Sequence, residues 1–392
     1  MVDFTLSDND QKILEAVAAE ASAGARRAKY YEDHEDEVLP KAFPEADQFP
    51  SLLRLMKSRP ADDTGAAIMQ LLVTIERWAN GGVTLRQSPT ALGNAALNAA
   101  GTPVQKERWG RYMLAMSITE PGAGSDTKAI RSTAVRDGDH WILNGDKIFV
   151  TNGIRCDGVV VWATVDSRAG RAGIRSFIVM KGTPGFEIVR KEKKLGIRSS
   201  DTAAYAFRDC RIPIDHVLGD ENAGSGDGNK DAEAYKGVLK TFNMTRPVVA
   251  AGGIGAALGT FRFARAALAE EGVAVDWDSA RSQRSALEQS LIEIEADIEA
   301  ATLTALYAGW LATIGQPNNL EASVSKVKGG EVCRTGPQRA MDILGAMSLS
   351  HEFPVEQFLR DGRITDIYEG TGQIQRLVIA RTILEYSTSE LS

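Results

Sequence analysis

Asp366-Ile367-Tyr368-Glu369-Gly370-Thr371-Gly372-Gln373-Ile374-Gln375-Arg376 places one carboxylate, Glu369, directly before a Gly-Thr-Gly turn. Behind it Ile374, Leu377, Val378, Ala380, Arg381, Ile383 and Leu384 repeat at helical spacing, so a helix is predicted to start at this turn. Gly370 and Gly372 tolerate backbone angles that other residues resist, and they let a ligand approach the main chain. Thr371 stands where an N-cap is needed, and a helix N-terminus attracts anions and polar ligand groups. The stretch combines a carboxylate on a tight loop with a ligand dock. Taken alone, a solvated loop acid explains Glu369 equally well.

The chain has 392 residues, long for one core, and two or three subdomains are expected. Hydrophobic residues make up 43% and charged residues 25%, the balance of an ordinary globular protein. A formal charge of −7 argues against nucleic acid as the main partner. No apolar run approaches the ~20 residues that span a bilayer. The start, Met1-Val2-Asp3-Phe4-Thr5-Leu6, shows no signal peptide. Cys156, Cys210 and Cys333 are scattered, which fits a reducing cytoplasm better than a disulfide scaffold. His34, His140, His216 and His351 lack metal-ligand spacing, so no metal site is expected.

From the C-terminal stretch outward, helical spacing also marks 231–270, 279–313, 320–346 and 373–387, with Gly252, Gly253, Gly255 and Gly259 inside the first. Those glycines fit close helix packing better than ligand contact. Residues 7–31 read as a helix capped by Ser7, and 64–79 and 90–101 as two more. Between the helical ends lies a run of short apolar segments. Asp137-Gly138 and Asn144-Gly145 read as turns of successive hairpins, and 159–164, 174–179 and 203–207 continue the strand character. The expected architecture is α+β, with a helical domain over 1–115, an antiparallel β domain over 116–225 and a helical bundle over 226–392. A Gly/Asp/Asn-rich loop, 221–230, separates the last two.

The stretch around Glu369 resembles the catalytic motif of the acyl-CoA dehydrogenases, a Tyr-Glu-Gly-Thr loop that carries the base. A second stretch resembles the same family: Ser117-Ile118-Thr119-Glu120-Pro121-Gly122-Ala123-Gly124-Ser125-Asp126. Two motifs in the family's order and spacing are a much stronger signal than either alone. The resemblance implies FAD as cofactor. It places Thr119 at the isoalloxazine, Ser125 near the pyrophosphate, and Thr371 and Gln373 near the adenosine end. In Phe149-Val150-Thr151-Asn152-Gly153, alternation sets Phe149 and Thr151 on one strand face. The family places an aromatic there over one flavin face and a threonine hydroxyl at the reactive N5; many relatives carry Trp where this chain has Phe149. Thr241-Phe242-Asn243-Met244-Thr245-Arg246-Pro247 resembles a segment near the acyl and pantetheine groups, with Asn243 in place of the common Asp. Arg246 matches an arginine that orders the site. Arg246 and Gly370 are the candidate substrate-binding positions.

The activity implied is α,β-dehydrogenation of an acyl-CoA thioester, with Glu369 removing the α-proton and the β-hydride passing to flavin N5. Thr245 occupies the place where some relatives carry the base, which leaves Glu369 as the candidate. Hydrogen bonds to the thioester oxygen in a dry pocket stabilise the developing enolate, and desolvation by the acyl chain is expected to strengthen Glu369 as a base. The family further implies an electron-transferring flavoprotein as acceptor and a homotetramer or homodimer. Two departures touch the subunit interface. The family's Arg-x-x-Phe-Gly motif is replaced by a stretch ending at Arg281, with Arg284 close by, and its Gln-Ile-Leu-Gly-Gly reads Asp342-Ile343-Leu344-Gly345-Ala346. They leave open a hetero-oligomer with a paralogous subunit. A shortened stretch over 49–63, one wall of the acyl pocket in relatives, leaves open a carrier-protein thioester as substrate. An oxygen-using flavoenzyme of the same fold is a third alternative, and the presence of Glu369 counts against it.

Overall fold

Ser7 begins α1 (Asp8–Asp33) with a reciprocal cap. Its Oγ accepts from the Asp10 amide at 3.2 Å, and Asp10 Oδ2 accepts from the Ser7 amide at 3.2 Å. Ile13 and Val17 of α1 are buried against Met69 and Val73 of α2 (Ala66–Ala79). Each such side chain contributes roughly 1.5–3 kcal/mol when fully buried. The computed structural model describes residues 4–38, 40, 65–81, 91–219 and 228–386, with the backbone alone for 228–244. The shortened stretch at 49–63, the loop at 221–227 and the side chains of Thr241 to Met244 lie outside the described residues. Two short helices follow, α3 (Leu92–Ala100) and α4 (Pro103–Trp109). Thr102 caps the latter, and Pro103 stands at its start, where no amide partner is needed.

The middle of the chain forms a seven-stranded sheet: β1 (Leu114–Ser117), β2 (Thr133–Asp137), β3 (His140–Thr151), β4 (Gly158–Thr164), β5 (Ile174–Met180), β6 (Phe186–Lys191) and β7 (Thr202–Pro213). The order is β1-β4-β2-β3-β7-β6, with β5 added on β4. The Asp137-Gly138 turn joins β2 to β3 as expected. Asn144-Gly145 is not a turn, because β3 runs straight through it with a bulge in its pairing to β7. Asp209 accounts for the difference. Asn144 donates to Asp209 Oδ1 at 3.0 Å and accepts from the Asp209 amide at 2.8 Å, so the polar pair is satisfied within the sheet. Gly145 is required because a Cβ there would lie 2.2 Å from Ser132 Oγ. The pairing is largely antiparallel, but β1 runs parallel to β4 with Leu114 opposite Gly158. This arrangement carries the chain from the front helices into the sheet.

The remaining helices are α5 (Gly228–Glu270), α6 (Ala286–Thr313), α7 (Asn319–Leu344), α8 (Val355–Gly362) and α9 (Gly372–Leu384). α6 starts seven residues later than its periodicity suggested. Ser285 caps it, with its Oγ accepting from the Glu288 amide, while Arg281–Gln283 form a separate 3-10 turn. The segment Thr245–Glu270 of α5 is long and apolar enough to cross a membrane, with mean hydropathy 1.3, a length the sequence reading did not credit. Within its apolar window 78% is buried, with Ile254, Ala257 and Phe261 in one core with Leu71 and Ile75 of α2, Ile294 and Ile298 of α6 and Val332 of α7. It is the central helix of that core.

The α5 glycines make close crossings. A Cβ on Gly255 would lie 2.4 Å from the Ile75 carbonyl oxygen, and one on Gly259 2.5 Å from that of Ala79. A Cβ on Gly253 would lie 2.7 Å from the Gly329 carbonyl oxygen of α7, and one on Gly329 2.6 Å from Ala250 Cα. Backbone sits against backbone, so no side-chain adjustment can make room for a methyl group. Gly329→Ala is therefore expected to destabilise the protein by about 1–3 kcal/mol, the usual cost of overpacking. Chemical denaturation checks this, and an unshifted midpoint would show that the crossing yields.

Candidate active site

Strand β3 ends in a strained edge. Phe149 has φ 56, inside a bulge between Lys147 and Val150 in the pairing with β7. Left-handed backbone at such a residue costs about 1–3 kcal/mol and persists only where its surroundings impose it. Phe149 is 60% exposed and Thr151 is exposed, while Val150 between them is fully buried. Both side chains are therefore open to solvent, although the bulge at Phe149 interrupts the regular alternation expected of the strand. Beside it the Ile148 amide donates to the Thr119 carbonyl at 3.0 Å, which seats Thr119 next to the strand. Gly122 and Gly124 of the adjoining turn have nothing within 4 Å of a built Cβ, and Ser125 is exposed. An uncovered aromatic ring, three hydroxyls and an unobstructed glycine turn form one edge. This donor set and its open space fit an isoalloxazine and the phosphate arm that follows it.

One buried ion pair fastens this edge. Glu120 Oε1 lies 2.8 Å from Lys147 Nζ, and both residues are buried. Glu120 also accepts from the amides of Arg131 at 2.7 Å and Ser132 at 3.0 Å, and Lys147 donates to the Ile118 carbonyl at 3.0 Å. Burial pushes the Glu120 carboxyl up, but Lys147, Ser132 and the Arg131 amide outweigh it and hold the group below its ordinary value. Burial pushes the Lys147 ammonium down, and Glu120 opposes that shift. The pair links the loop bearing Thr119 to the strand bearing Phe149 and Thr151.

Glu369 stands on the loop between α8 and α9, half-buried, with φ 54. Gly370 follows at φ 93, and Thr371 caps α9 with its Oγ1 accepting from the Ile374 amide at 3.3 Å. Arg246 of α5 is within electrostatic reach. Burial lowers its pKa from the ordinary value, and the negative charge of Glu369 opposes the shift. Arg246 also bonds Asn319 Oδ1 at 3.2 Å and Ser323 Oγ at 3.4 Å at the start of α7. Below the loop the buried Lys326 of α7 donates to the carbonyls of Thr365 and Gly370.

A polar junction connects the Glu369 loop to the β3 edge. Asp361, at the end of α8, accepts from the Ile197 amide, and Arg360 donates to the Leu195 carbonyl at 3.2 Å. Gly196 packs so closely on α8 that a Cβ would lie 2.2 Å from the Arg360 carbonyl oxygen. From there the chain reaches Asp201, fully buried, whose Oδ2 accepts from the Ile154 amide at 2.7 Å. Asp201 also pairs with Arg155 at 3.2 Å, and its carbonyl accepts from the Asn152 amide at 2.8 Å. Thr202 then pairs with Thr151. The end of β3 and the Glu369 loop are therefore held by one continuous set of contacts.

The structure brings Thr119, Phe149 and Thr151 together on one edge and Arg246, Glu369, Gly370 and Thr371 together around one loop. Gln373 lies exposed on the first turn of α9. Arg284 is engaged with its own loop, donating to Ser279 Oγ at 3.2 Å and the Trp277 carbonyl at 2.9 Å. Arg281 is exposed, with Glu293 at 3.8 Å. Sequence reading passed over Lys147, Asp201, Lys326 and Gln375. Only their burial marks these polar side chains out, and burial shows only in the fold.

Breaking the Glu120–Lys147 pair leaves an uncompensated buried carboxylate. Lys147→Met is expected to cost about 3–5 kcal/mol, read by denaturation at neutral pH. The contribution of Glu120 is complete above its ordinary value of 4.5 and is lost as pH falls through its lower folded-state value. The difference between wild type and variant should accordingly shrink in acid, and a difference independent of pH would dismiss the pair as its source.

Comparison with known proteins agrees with this geometry. Residues 115–210 match the family profile described as acyl-CoA dehydrogenase, middle domain, and residues 235–384 match acyl-CoA dehydrogenase, C-terminal domain. A short-chain-specific acyl-CoA dehydrogenase of Clostridium acetobutylicum is 31% identical over 371 residues, covering 89% of this chain and 94% of the relative. The butyryl-CoA dehydrogenase of Megasphaera elsdenii superposes with TM-score 0.79 at 29% identity, over 98% of this chain and 100% of that one. A chain from the structure of the electron transferring flavoprotein of Acidaminococcus fermentans gives TM-score 0.78 at 29% identity, over the same shares. FAD is the cofactor of the family these proteins represent. A match over 89% of the chain and both profiles in chain order converge, and the chain belongs to the acyl-CoA dehydrogenase family of oxidoreductases.

Proposed function

We propose that this enzyme desaturates a short-chain acyl-CoA between its α and β carbons, with Glu369 as the base that takes the α-proton. The observation that carries this reading is the placement of Glu369. It is a half-buried carboxylate on a left-handed loop, beside the Arg246 guanidinium and one turn before the N-terminus of α9. A base must be held in a defined place to attack a weakly acidic C–H bond, and the rigid loop supplies that placement. The main-chain amides of the loop are the donors at hand for the thioester oxygen, where charge develops as the proton leaves. Arg246 orders the loop electrostatically from α5 and ties it to α7 through Asn319 and Ser323.

Thr119, Ser125, Phe149 and Thr151 are the residues that would hold the flavin, with Thr371 and Gln373 toward its adenosine end. Bound FAD supplies the two-electron acceptor for the β-hydride. Phe149 would shield the bound ring from water, and the hydroxyls of Thr151 and Thr119 would supply hydrogen bonds to it from β3 and the neighbouring loop. The short-chain and butyryl-CoA relatives support a short acyl group. An electron-transferring flavoprotein is the proposed acceptor, supported by the superposition of a chain from the structure of such a flavoprotein on this one. We place the enzyme in the cytoplasm, in keeping with three buried free cysteines. We also read it as a homo-oligomer, supported by the exposed Leu377, Ile383, Leu384 and Tyr386 on and after α9.

Anaerobic addition of butyryl-CoA to the yellow enzyme tests the reaction directly, and the flavin absorbance is expected to bleach. Glu369→Gln should keep its FAD and lose about 10²- to 10⁴-fold in turnover, the contribution of a general base. Turnover retained in that variant overturns the assignment of the base. The chain expressed alone should purify as an FAD-loaded oligomer. A colourless protein would instead require a paralogous subunit.

A further inference from the structure

Beneath the loop that carries Glu369 lies a lysine that the scheme above does not use. Lys326 sits on α7 with no solvent exposure. Its Nζ donates to the Thr365 carbonyl, at the entry to the loop, and to the Gly370 carbonyl at 3.3 Å, just past the base. Gln375 of α9 is also fully buried. Its Nε2 donates to the same Gly370 carbonyl at 3.3 Å and to the Glu369 carbonyl at 3.4 Å. The fit is close, since a Cβ on Gly370 would lie 2.3 Å from Gln375 Nε2. Two buried side chains thus grip the main chain before, at and after Glu369.

A buried cation is costly, and an apolar residue of similar volume would serve packing at least as well. What an ammonium adds is three donors on one atom, able to reach carbonyls on both sides of a turn. Its titratable and charged neighbours come from every side: Asp366 from the turn, Glu369 from the loop and Arg246 from α5, with the Cys333 thiol two turns along α7. We propose that Lys326 is a positioning residue for the proton-abstracting loop, holding the Thr365 and Gly370 carbonyls, together with Gln375, so that Glu369 keeps its left-handed conformation. This rests on the reading of Glu369 as the base. Burial pushes the Lys326 ammonium down to about 8, with Arg246 adding to the shift and Asp366, Cys333 and Glu369 opposing it. Above that pH the amine loses one donor, and its charge-assisted hydrogen bonds become weaker neutral ones.

The test is steady-state kinetics of FAD-loaded Lys326→Met with butyryl-CoA, expressed per bound FAD, beside wild type and Glu369→Gln. The expected result is a fall in kcat of about 10- to 100-fold, the loss that displacement of a reacting group brings, with KM little changed. Wild-type kcat in Lys326→Met beside an inactive Glu369→Gln overturns the positioning role and leaves the base intact. Turnover retained in Glu369→Gln overturns the base, and this inference with it. If Lys326→Met does not load FAD, wild-type enzyme carries the test through its pH profile. The proposal requires kcat to fall as pH rises through about 8 at constant FAD content, and a flat profile overturns it.

Discussion

The near-contact of α5 and α7 is the constraint on which the site depends. Gly253 and Gly329 let the two backbones approach until a methyl group on either would meet main-chain atoms below 3 Å. A Cβ on the same Gly253 would lie 2.7 Å from Thr365 Oγ1, so the turn before the Glu369 loop rests on the crossing as well. Gly330, next on α7, leaves room for Asp366, whose Oδ1 would lie 2.8 Å from a Cβ there. Cys333 completes the contact, with its thiol 2.7 Å from Thr365 Oγ1 and 3.0 Å from the Gly362 carbonyl oxygen. Close helix approach thereby becomes precision in a loop, and it sets the height at which Lys326 meets the two carbonyls above it.

A second constraint joins what the helices hold to what the sheet holds. Glu32 of α1 is buried and accepts from the Ser199 amide and hydroxyl, both at 2.9 Å, and Arg360 lies 3.5 Å from it. Asp361 is beside it, accepting from Ile197, itself in the left-handed region at φ 49. Burial, and then the charge of Glu32, raise the Asp361 carboxyl well above its ordinary value. Two buried carboxylates at one joint are held there by amides and Arg360 rather than by favourable solvation. Front helix, sheet loop and back helices meet at this point. The hydrogen bonds are directional, so they fix the relative placement of the three parts more sharply than apolar contact alone.

Much of this was legible in the sequence. The 3.6-residue spacing gave the long helices, Ser7 and Thr371 marked two helix starts, and the Asp137-Gly138 turn marked a hairpin. The two motifs around Thr119 and Glu369 pointed to the site because both depend on local backbone geometry, which short stretches of sequence encode. The misreadings share a cause. Asn144-Gly145 looks like a turn until Asp209, 65 residues away, answers its amide. The parallel pairing of β1 with β4 depends on a long-range connection. Lys147 and Lys326 look like surface residues, since a lysine shows its burial only when distant partners are in place.

Glu120 and Glu369 sit in the two motifs, and the loops that carry them are fastened in different ways. The Glu120 carboxylate is committed to Lys147 and to two amides, so a proton there would undo the loop it fastens. Around Glu369 the anchoring falls on main-chain carbonyls, those of Thr365, Glu369 and Gly370, gripped by Lys326 and Gln375. Under the proposed assignment Glu369 gains and loses a proton in every turnover, so the fastening of its loop is best shared by groups other than that carboxylate. Transferring that task to the backbone and to two buried side chains lets the loop stay rigid through both protonation states. The left-handed residue at the apex fits the same arrangement, since the Glu369 carbonyl accepts from buried Gln375 while its side chain stays half-buried.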